Sequence, residues 1–262
     1  MTCTLRIGCC GFPYSRKKYY KAFDTVEVQQ TFYDPPSTQT LHKWRTEAPD
    51  NFKFTIKAWQ AISHSPRSPT WRRIRRKLPG SPEAYGLLKL TNENKWAWEI
   101  TLEAAHALRA PIIVIQTPPS FNYNNDNAKR AQEFLSWAAQ TTDTIIAWEP
   151  RGTWRENPDA IRRIVCRNNI IHVTDPLRTP PVICEEQHIL YFRLHGLGGK
   201  EVNYRYKYTE TDLQNLINLI RKYTENQKIR EVYVMFNNIH MADNATQLKN
   251  LANKNKPPCK PA

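Results

Sequence analysis

Apolar residues along this chain fall into two alternating rhythms. Short runs rich in branched and aromatic side chains read as strands at Leu5–Cys9, Thr25–Val28, Phe52–Ile56, Ile112–Ile115, Thr144–Trp148, Ile170–Val173, Ile189–Phe192 and Val232–Phe236. In the third, Phe52, Phe54 and Ile56 alternate with polar residues, whereas Ile112–Ile115 is apolar throughout, as a strand covered on both faces must be. Between the strands the period lengthens to that of a helix. Leu41, Trp44 and Ala48 share one face behind Ser37, whose hydroxyl can accept a first-turn N–H as an N-cap. Trp98, Leu102 and Ala105 form another stripe, as do Ala131, Leu135 and Ala138, then Leu213, Leu216, Ile217 and Ile220, and last Leu248 and Leu251. Asn157 before Pro158 marks a further start, a cap followed by a residue whose missing N–H costs nothing in the first turn. Strands that alternate with helices pair in parallel, because each crossover must return over the sheet. The pattern predicts an α/β chain, a single (β/α)8 TIM-type barrel over residues 1–252.

Two stretches break the rhythm. Residues 58–94, after the third strand, are too long for a simple connection and are expected to form an inserted lid or side wall. The tail 253–262, NKNKPPCKPA, is polar and interrupted by proline, and is expected to fray. There is no solenoid repeat and no run of 18 apolar residues, so no ordinary membrane-spanning helix is expected. The start, MTCTLRIGCCGFPYS, lacks the apolar centre of a secretory leader, and the six cysteines are therefore expected as reduced thiols in the cytoplasm.

Charge sharpens the picture around the insertion. The chain carries 38 basic against 24 acidic side chains, a formal net charge of +14. No acid occurs between Asp50 and Glu83, a stretch that holds Lys53, Lys57, Arg67, Arg72, Arg73, Arg75, Arg76 and Lys77. Trp71, Ile74 and Leu78 recur there at helical spacing, which predicts a short amphipathic helix with its arginines outward. Planar guanidinium forks match phosphate oxygens bidentately, so Arg72, Arg73, Arg75, Arg76 and Lys77 are the candidate nucleic-acid contacts. A solvated face of the same composition is the plainer alternative.

In a barrel of this kind chemistry is built where strands finish. The predicted ends deliver Cys9 and Cys10, Glu27 with Tyr33 beyond it, Lys57, Gln116, Glu149 and Arg151, Asp175, Arg193 and His195, then Asn237 and Asn238. Glu27 and Glu149 can divide acid and base roles if their surroundings separate their pKa values, and His195 can carry a proton near neutral pH. Lys57, Gln116, Arg151, Asp175, Arg193, Asn237, Asn238 and Tyr33 are the candidates for holding an anionic substrate. Tyr14, Phe32, Trp59, Trp148, Trp154 and Tyr204 near the same ends can stack rings or fill the core. The alternative for Glu149 with Arg151, or Glu27 with Arg193, is a buried ion pair that holds the strands. Glu27, Glu149, Asp175, His172 and His195 are types that bind zinc, manganese or magnesium, but the ligand spacings of known sites are missing and two arginines at the same centre repel a cation. No metal ligand is therefore assigned. Cys9 or Cys10 is a nucleophile if a nearby arginine stabilises the thiolate, and otherwise a packing residue. No phosphate-binding glycine loop or dinucleotide fingerprint occurs, so no nucleotide cofactor is expected and the cofactor stays unknown.

The blocks IGCCGF, FDTVEV, TFYDPP, APDNFKFTIKA, QTPPSF, WEPR, YFRLHG and YVMFNN, in this order over a match from about Ile7 to Ala245, resemble those of the YecE-like proteins, a barrel family classed as a domain of unknown function. The resemblance implies a TIM-type barrel with a polar pocket at the C-terminal ends of its strands, and no reaction. Cys9 and Cys10 depart from the Thr or Ser usual in those blocks, and Pro150 stands where a bulkier residue is common. Taken together, the residues predict a hydrolase or lyase working by acid–base catalysis on a phosphate-bearing substrate, a nucleotide or single-stranded nucleic acid. A carbohydrate or sugar-phosphate enzyme and a non-catalytic barrel that binds nucleic acid or an acidic protein are the rivals.

Overall fold

The computed structural model describes residues 3–199, 201–225, 228–255 and 259–262. Eight strands form in the predicted places: β1 (Cys3–Cys10), β2 (Thr25–Val28), β3 (Lys53–Lys57), β4 (Ile112–Gln116), β5 (Ile145–Glu149), β6 (Ile171–Thr174), β7 (Ile189–Leu194) and β8 (Glu231–Phe236). They follow one another in sequence order from β2 to β8, then β1, and β1 pairs β2 again, the cyclic order of a (β/α)8 barrel. The helices are α1 (Arg16–Ala22), α2 (Gln30–Tyr33), α3 (Thr38–Glu47), α4 (Gln60–Ser63), α5 (Asn92–Leu108), α6 (Asn125–Gln140), α7 (Pro158–Arg167), α8 (Glu210–Thr224) and α9 (Met241–Asn255). Among the described residues no helix is long and apolar enough to cross a membrane. The chain divides into two compact units, Met1–Glu27 with Pro49–Phe52 and Ile171–Ala262, and Val28–Ala48 with Lys53–Ile170.

In the first unit β1 is the central strand, paired in parallel with β8 along six residues and with β2 through Gly8, Cys9 and Cys10. Gly8 is obligatory there, since a Cβ would stand 2.3 Å from the Thr25 carbonyl oxygen. Tyr19 of α1 locks the same junction: its hydroxyl accepts the Cys9 N–H at 2.8 Å and donates to Thr25 O at 2.9 Å, while its ring packs on Phe12, Phe23 and Phe52. The capping box of Thr209 and Asp212 starts α8, which buries the predicted stripe of Leu213, Leu216, Ile217 and Ile220.

The second unit is built on β3, β4 and β5, with Thr55, Ile56 and Lys57 opposite Ile112, Ile113 and Val114. Ser37 caps α3 as expected, accepting from Thr40 N at 3.3 Å. Asn157 precedes α7 but makes no side-chain cap; its amide donates instead to Thr153 O at 2.8 Å, because a short 3-10 turn at Gly152–Glu156 brings that carbonyl within reach. Asn94 of α5, fully buried, fastens the insertion: its Oδ1 accepts from Gly86 N at 2.9 Å and its Nδ2 donates to Lys89 O at 2.8 Å and Gly86 O at 3.2 Å.

Three expectations are corrected. The basic segment is no amphipathic helix: Pro69–Arg73 forms one 3-10 turn, and Ile74 is already extended at φ −74° and ψ 117°. A helix there would set Arg72 and Arg73 one turn from Arg75, Arg76 and Lys77 with no acid to offset the repulsion. The segment bonds outward instead, with Trp71 Nε1 donating to His64 O at 3.1 Å and Gln60 Nε2 to Thr70 O at 3.1 Å. Nor does the described tail fray. α9 continues to Asn255, and a further strand, β9 (Cys259–Pro261), pairs in parallel with β1; residues 256–258 lie outside the described ones. Finally, Cys3 and Cys259, opposite each other in that pairing, form a disulfide, whereas Cys9 and Cys10 are free thiols. No sequence pattern advertises a bridge between residues 256 apart.

Because the bridge closes so long a loop, Cys3→Ser is expected to destabilise the chain by roughly 3–5 kcal/mol, and reductant, which also reduces the disulfide-bonded Cys166 and Cys184, to destabilise the parent protein by at least as much. Urea unfolding with and without dithiothreitol measures both; unfolding curves that coincide would exclude the stabilising role.

Candidate functional site

In the first unit β2 carries Glu27, and β7 carries Tyr191 and Arg193 two residues apart, hence on one face of the strand. Tyr191 Oη donates to Glu27 Oε2 at 2.9 Å, and Arg193 Nη2 to Glu27 Oε1 at 2.9 Å. Both charged side chains have no exposed surface, and the Tyr191 ring is fixed by stacking on Tyr233 with centroids 5.4 Å apart. Glu27 therefore has both oxygens engaged in holding Arg193 and Tyr191. That is the geometry of a positioning group.

Asp175 follows β6 in a different electrostatic setting. Its Oδ1 accepts from Leu177 N at 3.0 Å, and its Oδ2 accepts from the Tyr208 hydroxyl at 3.4 Å. Arg178 is near, at 3.9 Å, but its guanidinium is spent on carbonyls: Nε donates to Gly196 O at 3.0 Å, and Nη2 to Gly196 O and Gly198 O. Burial consequently outweighs the bonds from Leu177, Arg178, the His195 backbone and Tyr208, and raises the carboxyl from 3.8 to about 7. At the end of β7, Asn237 Nδ2 donates to His195 Nδ1 at 3.0 Å, so the neutral ring carries its proton on Nε2. Gly196 adopts φ +86°, where a Cβ would lie 2.0 Å from Asn203 O. Asn238 is buried in scaffolding, donating to Tyr206 O at 2.7 Å and Asn244 Oδ1 at 2.9 Å. His172 accepts from Val182 N at 2.9 Å. Burial pushes the Cys9 thiol up to about 12, which removes it as a nucleophile at neutral pH.

The second unit assembles a cationic cluster. β5 delivers Glu149, whose Oε1 accepts from Arg151 Nε at 3.1 Å and Nη2 at 3.0 Å; both are buried. Gln116 is the register partner of Glu149 across β4 and β5. Lys57 ends β3 with Nζ 3.6 Å from the centre of the Phe32 ring. His64, which the sequence reading missed, packs edge-on to the same ring at 4.9 Å, and its Nδ1 shares a hydrogen bond with Ser63 Oγ at 2.9 Å. Burial, then the positive charges of Lys57 and Arg151, lower its pKa to about 3, so this imidazole is neutral at physiological pH. The available signal was position: a histidine shortly after a strand end, in a stretch without acids.

The arginines of the insertion stand beside Tyr33. Arg73 lies over the Tyr33 ring at 4.3 Å and Arg76 over Trp59 at 5.9 Å, with Arg76 Nη2 donating to Pro35 O at 3.4 Å. Arg72, Arg73 and Arg75 line a cavity of about 510 Å³ together with Gln30, Tyr33 and Asp34, while Lys77 is exposed and outside that lining. Among the described residues, no three His, Cys, Asp or Glu side chains converge as a metal-ligand set.

Comparison with known proteins places the chain among similar barrels. The family described as a protein of unknown function, DUF72, matches residues 13–262. The UPF0759 protein YunF of Bacillus subtilis (strain 168) is 25% identical over 267 residues, covering 90% of this chain and 87% of that protein. Two solved DUF72 family proteins share the fold. EF0366 of Enterococcus faecalis V583 is 20% identical with a TM-score of 0.71 over 95% of this chain and 98% of that one. TM1631 of Thermotoga maritima MSB8 is 21% identical with a TM-score of 0.67 over 95% and 99%.

Two outcomes follow from the geometry of the first unit. Arg193→Met strands Glu27 in the interior without its counter-charge and is expected to cost about 3–5 kcal/mol, whereas adding Glu27→Gln restores part of the loss. Urea unfolding of both variants checks this, and a double variant as unstable as the summed singles would refute it. The second concerns pH. The folded chain holds a proton on Asp175 that the unfolded chain releases between pH 4 and about 7. This contribution is complete below pH 4 and is lost as pH rises through 7, so Asp175→Asn should gain on the parent by up to roughly 4 kcal/mol at pH 8 and little at pH 4. Equal pH dependence of the two proteins would show that Asp175 is not the group responsible.

Proposed function

The chain belongs to the DUF72 family, whose description assigns no reaction, and we propose from its own side chains that it is an acid–base enzyme, a hydrolase or lyase, acting on a phosphate-bearing substrate, a nucleotide or single-stranded nucleic acid. The observation that carries this reading is the cavity of Arg72, Arg73 and Arg75. Among the described residues no carboxylate stands within 4.0 Å of these three guanidinium groups, so their forks are uncommitted and fit phosphate oxygens. Lys57 and Arg151 extend the positive field of the same unit.

Proton transfer has two candidate centres, one in each unit. Asp175 titrates near neutrality, where a carboxyl group serves well as acid or base, and the neighbouring His195 is oriented by Asn237. Glu149 is held in a fixed pose by Arg151 and is the second carboxyl group placed to take up a proton. Glu27 acts through Arg193 and Tyr191 rather than on substrate. The commitment of Glu27 and Glu149 to arginines also favours a second reading, a barrel that binds phosphate-bearing ligands without chemistry.

The test separates the two. Anisotropy of a fluorescent single-stranded oligonucleotide should show binding that weakens about tenfold or more between 50 and 200 mM salt, as release of counterions from about three phosphate contacts requires. Arg72→Ala and Arg73→Ala should each weaken it further. Turnover of the same oligonucleotide should vanish in Asp175→Asn or in Glu149→Gln, with binding intact. Binding indifferent to salt would sink the phosphate assignment, and turnover surviving both Asp175→Asn and Glu149→Gln would sink the acid–base assignment.

A further inference from the structure

Among the described residues the large hydrophobic side chains left in water are Leu90, Tyr204 and Ile239, and the last two belong to one spot of the first unit: Ile239 N donates to Tyr204 O at 2.8 Å. Tyr204 keeps 45% of its surface exposed and Ile239 69%. A single exposed apolar residue needs no explanation, but two joined through their backbones at a polar strand end do. The Tyr204 ring stands edge-on to the His195 ring with centroids 6.2 Å apart, so the spot borders the end of β7, where Asn237 orients His195.

The backbone that presents these side chains is tied down. Tyr204 and Arg205 are the central pair of a tight turn, closed by Tyr206 N donating to Asn203 O at 2.9 Å. Asn203 N donates to His195 O at 2.8 Å and Asn203 Nδ2 to Leu197 O at 2.9 Å, while Asn238 Nδ2 donates to Tyr206 O at 2.7 Å. Gly196 makes room for the turn, because the Asn203 carbonyl and the Tyr206 Cβ occupy the place of a side chain there. The motif Tyr204-Arg205-Tyr206-Lys207-Tyr208 then divides by chemistry. Tyr206 Oη donates to Asp212 Oδ2 at 2.7 Å and Tyr208 is buried, whereas Arg205 and Lys207 are exposed. Folding uses two of these tyrosines and leaves the third exposed on a fixed backbone, flanked by cations. A ring held in place before binding loses little freedom when a partner covers it.

We propose that the Tyr204 turn is a base-stacking platform for single-stranded nucleic acid, with one base laid on the Tyr204 ring beside Ile239 and the flanking phosphates at Arg205 and Lys207. The inference rests on the phosphate-bearing substrate proposed above and adds to it a contact in the first unit that is independent of the arginine cavity. The cations select a polyanion, and an exposed ring accepts any base, since every base has a flat face. The open form of the platform selects a strand over a free nucleotide. A small ligand needs a concave site that encloses most of its surface, whereas a strand gathers many shallow contacts.

The experiment is fluorescence anisotropy of the full chain with two labelled probes, a twelve-residue deoxythymidine strand and a strand of equal length in which every base is replaced by an abasic site. Tyr204→Ala should weaken the thymidine strand by about fivefold or more, the least that stacking of one base on an aromatic ring supplies, and leave the abasic strand unchanged. Tyr204→Phe should bind like the parent, and Ile239→Ser should weaken the thymidine strand alone. Arg205→Ala should weaken both strands by a common factor and flatten their salt dependence. Equal weakening of both strands by Tyr204→Ala, or loss of binding in Tyr204→Phe, overturns the stacking role. Salt-dependent binding of both strands that is indifferent to Tyr204→Ala overturns the platform and leaves phosphate recognition standing. Thymidine monophosphate competing as well as the unlabelled strand overturns the choice of a strand. Light scattering that finds a dimer broken by Tyr204→Ala assigns the spot to a second copy of the chain and overturns the proposal. Absence of salt-dependent binding to either strand overturns this reading and the phosphate-bearing substrate together.

Discussion

The buried contact of Arg193 with Glu27 and Tyr191 is the constraint around which the first unit is organised. Two full charges without exposed surface are tolerated only where the geometry satisfies both, because removing each from water costs several kcal/mol before any attraction is recovered. The tyrosine hydroxyl on one carboxylate oxygen and the guanidinium on the other meet that condition. The arrangement fixes the end of β2 relative to β7, and the Gly8 approach and the Tyr19 hydroxyl fix β2 relative to β1. Register in this unit is thus set by polar groups that fit in one alignment alone, since a slip of one residue would turn Glu27 or Arg193 to the opposite face.

The second unit applies the same solution with a shorter reach. Glu149 and Arg151 lie two residues apart and pair at once, so the carboxylate that β5 delivers arrives already neutralised. Asp175, in the first unit, is the exception, and the reason is local. Its arginine, Arg178, is turned to the carbonyls of Gly196 and Gly198, where the positive φ of both glycines leaves the chain open to it. Burial then governs the carboxyl group, and a residue three positions from a guanidinium titrates near neutrality. Proximity in sequence to a cation does not decide a pKa; the direction in which the cation spends its hydrogen bonds does.

Much of the scaffold was legible because barrel strands repeat one physical demand. Each must be apolar, branched and short, and each of the eight predicted runs overlaps its strand with ends displaced by two residues at most. The strand ends were legible for the complementary reason, that Glu27, Lys57, Glu149, Asp175 and Arg193 interrupt apolar runs at the one place where burial must be answered by a partner. What escaped depends on contacts with no local signature. The disulfide of Cys3 with Cys259 and the strand β9 exist only because the fold brings the two ends of the chain together. His64 acquires its character from burial, Lys57, Arg151 and the Phe32 ring, none of which marks it in the sequence. Glu27 and Arg193 were recognised as chemistry-bearing, but only geometry distinguishes an acid from the anchor of another residue.

The basic insertion shows why a periodicity argument fails where charge is dense. Trp71, Ile74 and Leu78 are spaced for a helix, and none of them is fully buried. Three apolar contacts of that size cannot hold five cations on successive turns, since each like-charge pair one turn apart adds a penalty of about 0.2–0.5 kcal/mol and no acid offsets it. The chain instead breaks after one 3-10 turn and attaches each part separately: Trp71 to the His64 carbonyl, Arg73 to the Tyr33 ring, Arg76 to the Pro35 carbonyl and the Trp59 ring. The 3-10 turn carries Arg72 and Arg73, and the chain that leaves it through extended Ile74 brings Arg75 to the same wall. The repulsion that opposes the helix therefore leaves Arg72, Arg73 and Arg75 in the wall of one cavity beside Tyr33 and Asp34.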